Sequence, residues 1–286
     1  MAAMTRKAIV AGQFYEEDAA HLKEQIKQAF LDKNGPGKLP GAAKKEVIRG
    51  AIVPHAGFTY SGPCAAHVYK RLAESDPPDL YLILGTNHTG LGRSSVLLEN
   101  FETPLGEAEV DQEFGEELLN NTEHLNSNPS VHAFEHSIEV QLPFLQFTLP
   151  KFRFVPLVVS SPSYLDEIAE GIRKTAEQMK KRVTILASSD FTHYGINYGY
   201  YPFKDDLREN IERLDMDAIG LIQKFDVAGF HSYIRRTGVT ICGFLPIMTL
   251  LKTLEKGKSE LISYYLSGDL TKDYSTSVSY AGIVFK

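Results

Sequence analysis

The sequence predicts an α/β fold in which a largely parallel sheet carries helices on both faces. Four short apolar runs, Val47 to Val53, Leu80 to Leu84, Phe154 to Val159 and Val183 to Ala187, have the length and apolar content of buried strands. Among them stand longer segments with apolar residues three and four apart, the period of a helix resting on one face. Such alternation leaves successive strands parallel and lays the connecting helices over the sheet.

The elements follow from local chemistry. Asp18 to Asp32 places Leu22, Ile26 and Phe30 at spacings of four, a helix that Asn34-Gly35-Pro36-Gly37 stops. After the first strand, Ser61-Gly62-Pro63 supplies a capping residue and an early proline for a helix to about Ala73. Asp76-Pro77-Pro78 breaks it, and the second strand delivers His88 through a turn at Gly85. Ser95 to Leu98 reads as a short strand, Gln112 to Asn120 as a helix and Asn120 to Ser130 as a polar loop. Phe134 to Phe147 has helical spacing, with Pro143 bending or shortening it. Helices are predicted at Tyr164 to Lys181, Asp205 to Lys224, Asp226 to Arg235 and Phe244 to Lys256. Ser259 to Leu266 and Ser277 to Phe285 predict an antiparallel pair at a sheet edge, which would make the sheet mixed there. No linker-like run or fixed-period repeat divides residues 1–286, so one domain is expected.

Composition narrows the function. A formal net charge of -6, with both signs mixed along the chain, gives no electrostatic reason to expect nucleic acid. The opening residues lack the apolar core of a signal peptide and no stretch approaches bilayer-spanning length, so a cytoplasmic protein without a membrane partner is expected. Cys64 and Cys242 are too few for a disulfide framework and read as free thiols. No Walker-type loop, Gly-x-Ser-x-Gly elbow or Cys-x-x-Cys pair is present, which removes phosphate-loop, hydrolase-elbow and thioredoxin chemistry.

What remains is a set of metal-ligand residue types at strand ends. His55 and His88 each follow an apolar run and sit among small neighbours, Ala56 and Gly57 or Gly85 and Gly90, which let backbone crowd around an ion. Cys242 precedes Gly243 and a predicted helix, whose positive end favours thiolate, although most free cysteines are simply small buried side chains. Cys64 fits that second description. Asp190 and His193 follow the Val183 to Ala187 strand, placed to orient a ligand or move a proton, with backbone capping as the other account of Asp190. His136 and Glu139 lie three apart on one predicted helix face and could share the pocket or merely pair with each other. At the carboxyl edge of an α/β sheet such loops converge on ligands.

Taken together, these segments resemble the Memo family, relatives of the class III extradiol (LigB-type) dioxygenases. The resemblance runs nearly end to end and is carried by Ala11-Gly12-Gln13-Phe14-Tyr15, Pro54-His55-Ala56-Gly57-Phe58-Thr59-Tyr60-Ser61-Gly62, Gly85-Thr86-Asn87-His88, Thr103-Pro104-Leu105-Gly106, Glu135-His136-Ser137-Ile138-Glu139, Ser188-Ser189-Asp190-Phe191-Thr192-His193-Tyr194-Gly195 and Cys242-Gly243. It implies a single three-layer α/β/α sandwich of LigB type, with His55, His88 and Cys242 as metal ligands, Asp190 and His193 lining the same pocket, and His136 and Glu139 within a family motif. Extradiol dioxygenases hold iron with two histidines and a carboxylate, whereas here Cys242 would replace the carboxylate. Iron or copper with redox behaviour is therefore the first expectation, with zinc a further fit to the same ligand types, and a ring-cleaving dioxygenase with an unidentified aromatic substrate is the lesser one. The resemblance also implies a partner, a peptide in the pocket as for the animal relatives in cell-motility signalling or a radical-SAM protein as for prokaryotic relatives of the AmmeMemoRadiSam type, and an unknown small molecule is the other expected occupant of the pocket.

Overall fold

The computed structural model describes residues 5–42 and 44–286. A short strand β1 (Thr5–Arg6) precedes helix α1 (Ala19–Leu31), which Asp18 caps by accepting from the Ala20 and His21 amides. Strand β2 (Gly50–Val53) leads into α2 (Phe58–Ala73). This helix starts three residues ahead of the expected cap. Gly57 occupies the cap position, and Ser61 turns its hydroxyl to the Ala56 carbonyl. Next come β3 (Leu80–Thr86), β4 (Ser95–Val96), β5 (Asn100–Thr103), β6 (Gly106–Ala108), α3 (Gln112–Asn120) and the single turn α4 (Pro129–His132).

The stretch 134–147 is not one helix. Residues 135–138, which turn at 137–138, and a 3-10 turn at Glu139–Gln141 precede α5 (Leu142–Thr148), where Pro143 opens the helix instead of bending it. In the first helical turn a missing N–H breaks no helical bond. The remaining elements are β7 (Phe154–Val159), α6 (Leu165–Gln178), β8 (Val183–Ser188), β9 (His193–Tyr194), α7 (Leu207–Gln223), α8 (Val227–Thr237), α9 (Phe244–Leu254), β10 (Ser259–Leu266), α10 (Ser267–Thr271) and β11 (Ser277–Phe285).

The main sheet runs β10-β11-β2-β8-β3-β7-β4, and β9 pairs with β11 beside it. Its centre, β2, β8, β3 and β7, is parallel, while β10 against β11, β11 against β2 and β4 against β7 are antiparallel. The sheet is therefore mixed. Of the expected C-terminal pair only β10 lies at the edge, because β11 bonds β2 on its other side. Strands β1, β5 and β6 form a separate three-stranded sheet.

Side-chain alternation builds two cores from one sheet. Along β3, Leu80, Leu82 and Leu84 join Ile168 and Ile172 of α6, Ile247 and Leu250 of α9 and residues of α3, α7 and α8. Tyr81 and Ile83 point the other way, to Leu22 and Ile26 of α1, Val68 and Tyr69 of α2 and Phe144 of α5. Helices thus cover both faces, and the carboxyl ends of the parallel strands are left for loops.

Candidate functional site

Strand order gathers the polar residues. β2, β8 and β3 are neighbours, and His55, Asp190 and His88 each stand two residues past the end of their strand. Cys242 arrives from the turn before α9. That turn presses against the end of β8: a Cβ on Gly243 would lie 2.5 Å from the Ser188 carbonyl oxygen and 2.4 Å from Ser189 Cβ. Only glycine permits this approach, and the Gly243 amide is then held by Ser189 Oγ at 3.0 Å. Gly85 does the same for the 135–138 turn, since a Cβ there would sit 2.6 Å from Ile138 Cγ1.

One ligand atom each from His55, His88 and Cys242 lies within 4.8 Å of the others, and His55 Nε2 stands 3.2 Å from Cys242 Sγ. Donors bound to one tetrahedral ion would be about 3.4–3.8 Å apart, so the spacing suits a metal after small adjustments. Two further groups adjoin this one, His88 with Glu135 and His136, and Asp190 with His193 and Cys242. The three rings of His55, His88 and His136 crowd together, with centroids 4.6 to 5.4 Å apart.

Electrostatics favour neutral rings at His55 and His136. Burial, followed by the nearby His88, holds His55 well below its ordinary pKa. Burial also lowers His136, with His55 and His88, to about 4. Burial and the Asp190 charge push the Cys242 thiol well above its ordinary value. The thiolate expected from the helix terminus is therefore not secured by protein groups alone, and a bound cation would have to supply the compensation. Burial would raise Glu135 too, but the hydrogen bond and charge of His88, the Ser137 amide and His136 outweigh it and hold the carboxyl at about 2.

Asp190 has two connections. Its Oδ1 accepts from the His55 amide at 2.8 Å and the Ala56 amide at 3.3 Å, the backbone-capping account, while the residue also borders Cys242. His193 Nδ1 lies 2.9 Å from the Phe191 carbonyl and 3.0 Å from that of Thr240. Carbonyls only accept, so this nitrogen carries a proton. His136 stacks on His88 and touches Phe14.

Glu139 corrects an expectation. It does not share the pocket with His136 but takes Arg6 Nη1 at 2.7 Å, the Ile9 and Val10 amides at 3.0 Å and the Tyr15 hydroxyl at 2.6 Å. The turn at residues 135–138 breaks the helical spacing on which a common face depended. Cys64 is buried with Tyr265 and Tyr280 in a small cluster of its own, as its apolar neighbours in the sequence suggested. Glu135 and Ser188, which touch the two candidate ligand rings directly, were not singled out by sequence reasoning. Signals existed: Glu135 adjoins His136, and Ser188 places a hydroxyl at the buried end of an apolar strand.

A family described as Memo-like protein matches residues 6–284. MEMO1 family protein MK0963 of Methanopyrus kandleri is 38% identical over 292 residues, covering 99% of both chains. A MEMO1 family protein of Sulfolobus acidocaldarius is 39% identical over 293 residues, again covering 99% of each. Among solved structures, the uncharacterized protein JW3007 from Escherichia coli K12 superposes with a TM-score of 0.55 over 84% of this chain and 100% of its own, at 10% identity, a likeness of fold alone. From the match over nearly its whole length, the chain belongs to the Memo family.

Proposed function

We propose that this protein binds a redox-active metal ion, iron or copper, through His55, His88 and Cys242, in a pocket of dioxygenase type altered by the thiol. The supporting observation is the approach of those three donor atoms to within 4.8 Å of one another. Two imidazoles and a thiolate suit copper and iron, and zinc fits the same donors without electron chemistry. When bound, iron or copper would supply reversible one-electron transfer at a centre softened by sulfur. The chain's own residues would fix the donors: Asp190 holds the His55 backbone, and His193 stands beside Cys242, placed for proton movement. An expectation of ring cleavage is weakened by the ligand set, since fold kinship does not carry a reaction with it.

A second reading takes the same cleft as a binding surface for a small molecule or peptide. It is favoured by exposed Tyr198, whose ring lies 5.2 Å from that of His193, and by exposed Tyr60 on the first turn of α2. Anaerobic loading with iron(II) or copper, followed by metal analysis, tests the first reading. Wild type should retain metal through desalting, and His55→Ala, His88→Ala and Cys242→Ser should each retain at least about ten-fold less. Equal content in all four proteins removes the metal reading and leaves the binding surface.

A further inference from the structure

Residues 135 to 137 reach both candidate ligand rings, one directly and one through a hydroxyl. Glu135 Oε1 lies 2.9 Å from His88 Nδ1 and 2.8 Å from the Ser137 amide, and Oε2 takes the His88 amide at 2.8 Å. A carboxylate accepts and does not donate, so the ring nitrogen facing it supplies the proton.

His55 is one link further off. Its Nδ1 stands 2.9 Å from Ser188 Oγ, and a hydroxyl can donate only once. The same oxygen lies 2.7 Å from the Ser137 carbonyl and 2.7 Å from Gln141 Nε2. Gln141 is held in one orientation, because the Tyr69 hydroxyl donates to its Oε1 at 2.6 Å and the Pro54 carbonyl accepts from Nε2 at 3.1 Å. Flipped, its amide would set oxygen against the Pro54 carbonyl oxygen. Gln141 therefore donates to Ser188, which leaves the Ser188 proton two destinations, the Ser137 carbonyl or His55. Giving it to His55 would strip the carbonyl of fully buried Ser137 of its one donor among the described residues. Buried carbonyls are seldom left so. The consistent arrangement has Ser188 donating to Ser137 and His55 donating to Ser188.

We propose that the 135–137 turn sets the tautomer of both imidazoles, Glu135 acting directly on His88 and Ser137 acting through Ser188 on His55. Each ring then keeps its proton on Nδ1 and turns a bare Nε2 to the point beside Cys242. Glu135 and Ser188 are positioning residues. An imidazole held in the other tautomer would have to move a proton before it could bind, as a carboxylate partner prevents in other histidine centres. The placement of protons is independent of any metal, and only its use for binding rests on the function proposed above.

The test is nitrogen-15 NMR of histidine side chains in the metal-free protein at mildly alkaline pH, with zinc as a diamagnetic probe of affinity. Wild type should show Nδ1–H signals for His55 and His88. Ser188→Ala should move His55 toward the Nε2–H form while His88 stays, and should weaken zinc binding by about 10- to 100-fold. Ser188→Thr, which keeps the hydroxyl, should restore both readouts. A wild-type Nε2–H signal from either ring overturns the proposal, as does a folded Ser188→Ala protein whose His55 tautomer is unchanged. Should that variant fail to fold, the wild-type spectrum decides alone. Nδ1–H on both rings with no zinc, iron or copper uptake by wild type would uphold the positioning and remove the metal function instead.

Discussion

Glu135 and Glu139 are both buried carboxylates on one stretch of chain, and their partners separate what they do. Glu135 faces His88, whereas Glu139 closes on Arg6, whose guanidinium also reaches the His132 and Glu135 carbonyls. Glu139 thereby ties the N-terminal segment to the turn that carries Glu135. Removing one member of a buried, hydrogen-bonded ion pair leaves the other charge without compensation. Glu139→Ala should cost about 3–5 kcal/mol in urea denaturation while the folded fraction keeps its full metal content. Metal loss from folded Glu139→Ala protein would return Glu139 to the pocket. The histidines at strand ends were legible because residue type and small neighbours are local properties. The direction of Glu139 was not, because an i,i+3 relation has meaning only inside a helix.

At the scale of elements, strong patterns translated directly. The bounds of α3 and β7 coincide with the apolar spacing and the apolar run that predicted them. Residues 134–147 did not translate, since helical spacing of apolar residues also describes a turn followed by two short helical pieces on a shared core. The start of α2 was missed for a related reason: Ser61 has a capping residue's chemistry but uses its hydroxyl inside the first turn. The turn before α9 shows how an element boundary can carry function. Gly243→Ala would drive a methyl group against the backbone of β8, which cannot rotate aside as a side chain would. We expect a loss of about 1–3 kcal/mol by denaturant titration together with weakened metal binding, because Cys242 is carried on the displaced turn. Unchanged stability and metal content would show that the turn has room to spare.

For the whole molecule, the alternation of apolar runs disclosed the class but not the strand order. Pairings such as β11 with β2 join residues from opposite ends of the chain, and no local pattern encodes them. That order nevertheless makes the site: His55 and Cys242 are 187 positions apart in sequence and in contact in space. An ion held there would bridge loops from distant parts of the fold and bind the native state alone. Metal at about a hundred times its dissociation constant should stabilise the protein by about 2.7 kcal/mol, seen as a rise of several degrees in Tm that chelator reverses. Cys242→Ser should show little of this rise, and an equal rise in both proteins would place the bound ion elsewhere. The interior position of β11 has its own consequence for biogenesis. It follows every other element in sequence, yet β10 and β2 both wait for it. Until it leaves the ribosome, the β2 flank of the nascent sheet is an open edge, sticky toward other chains. Completion of this sheet is therefore a late, non-local event.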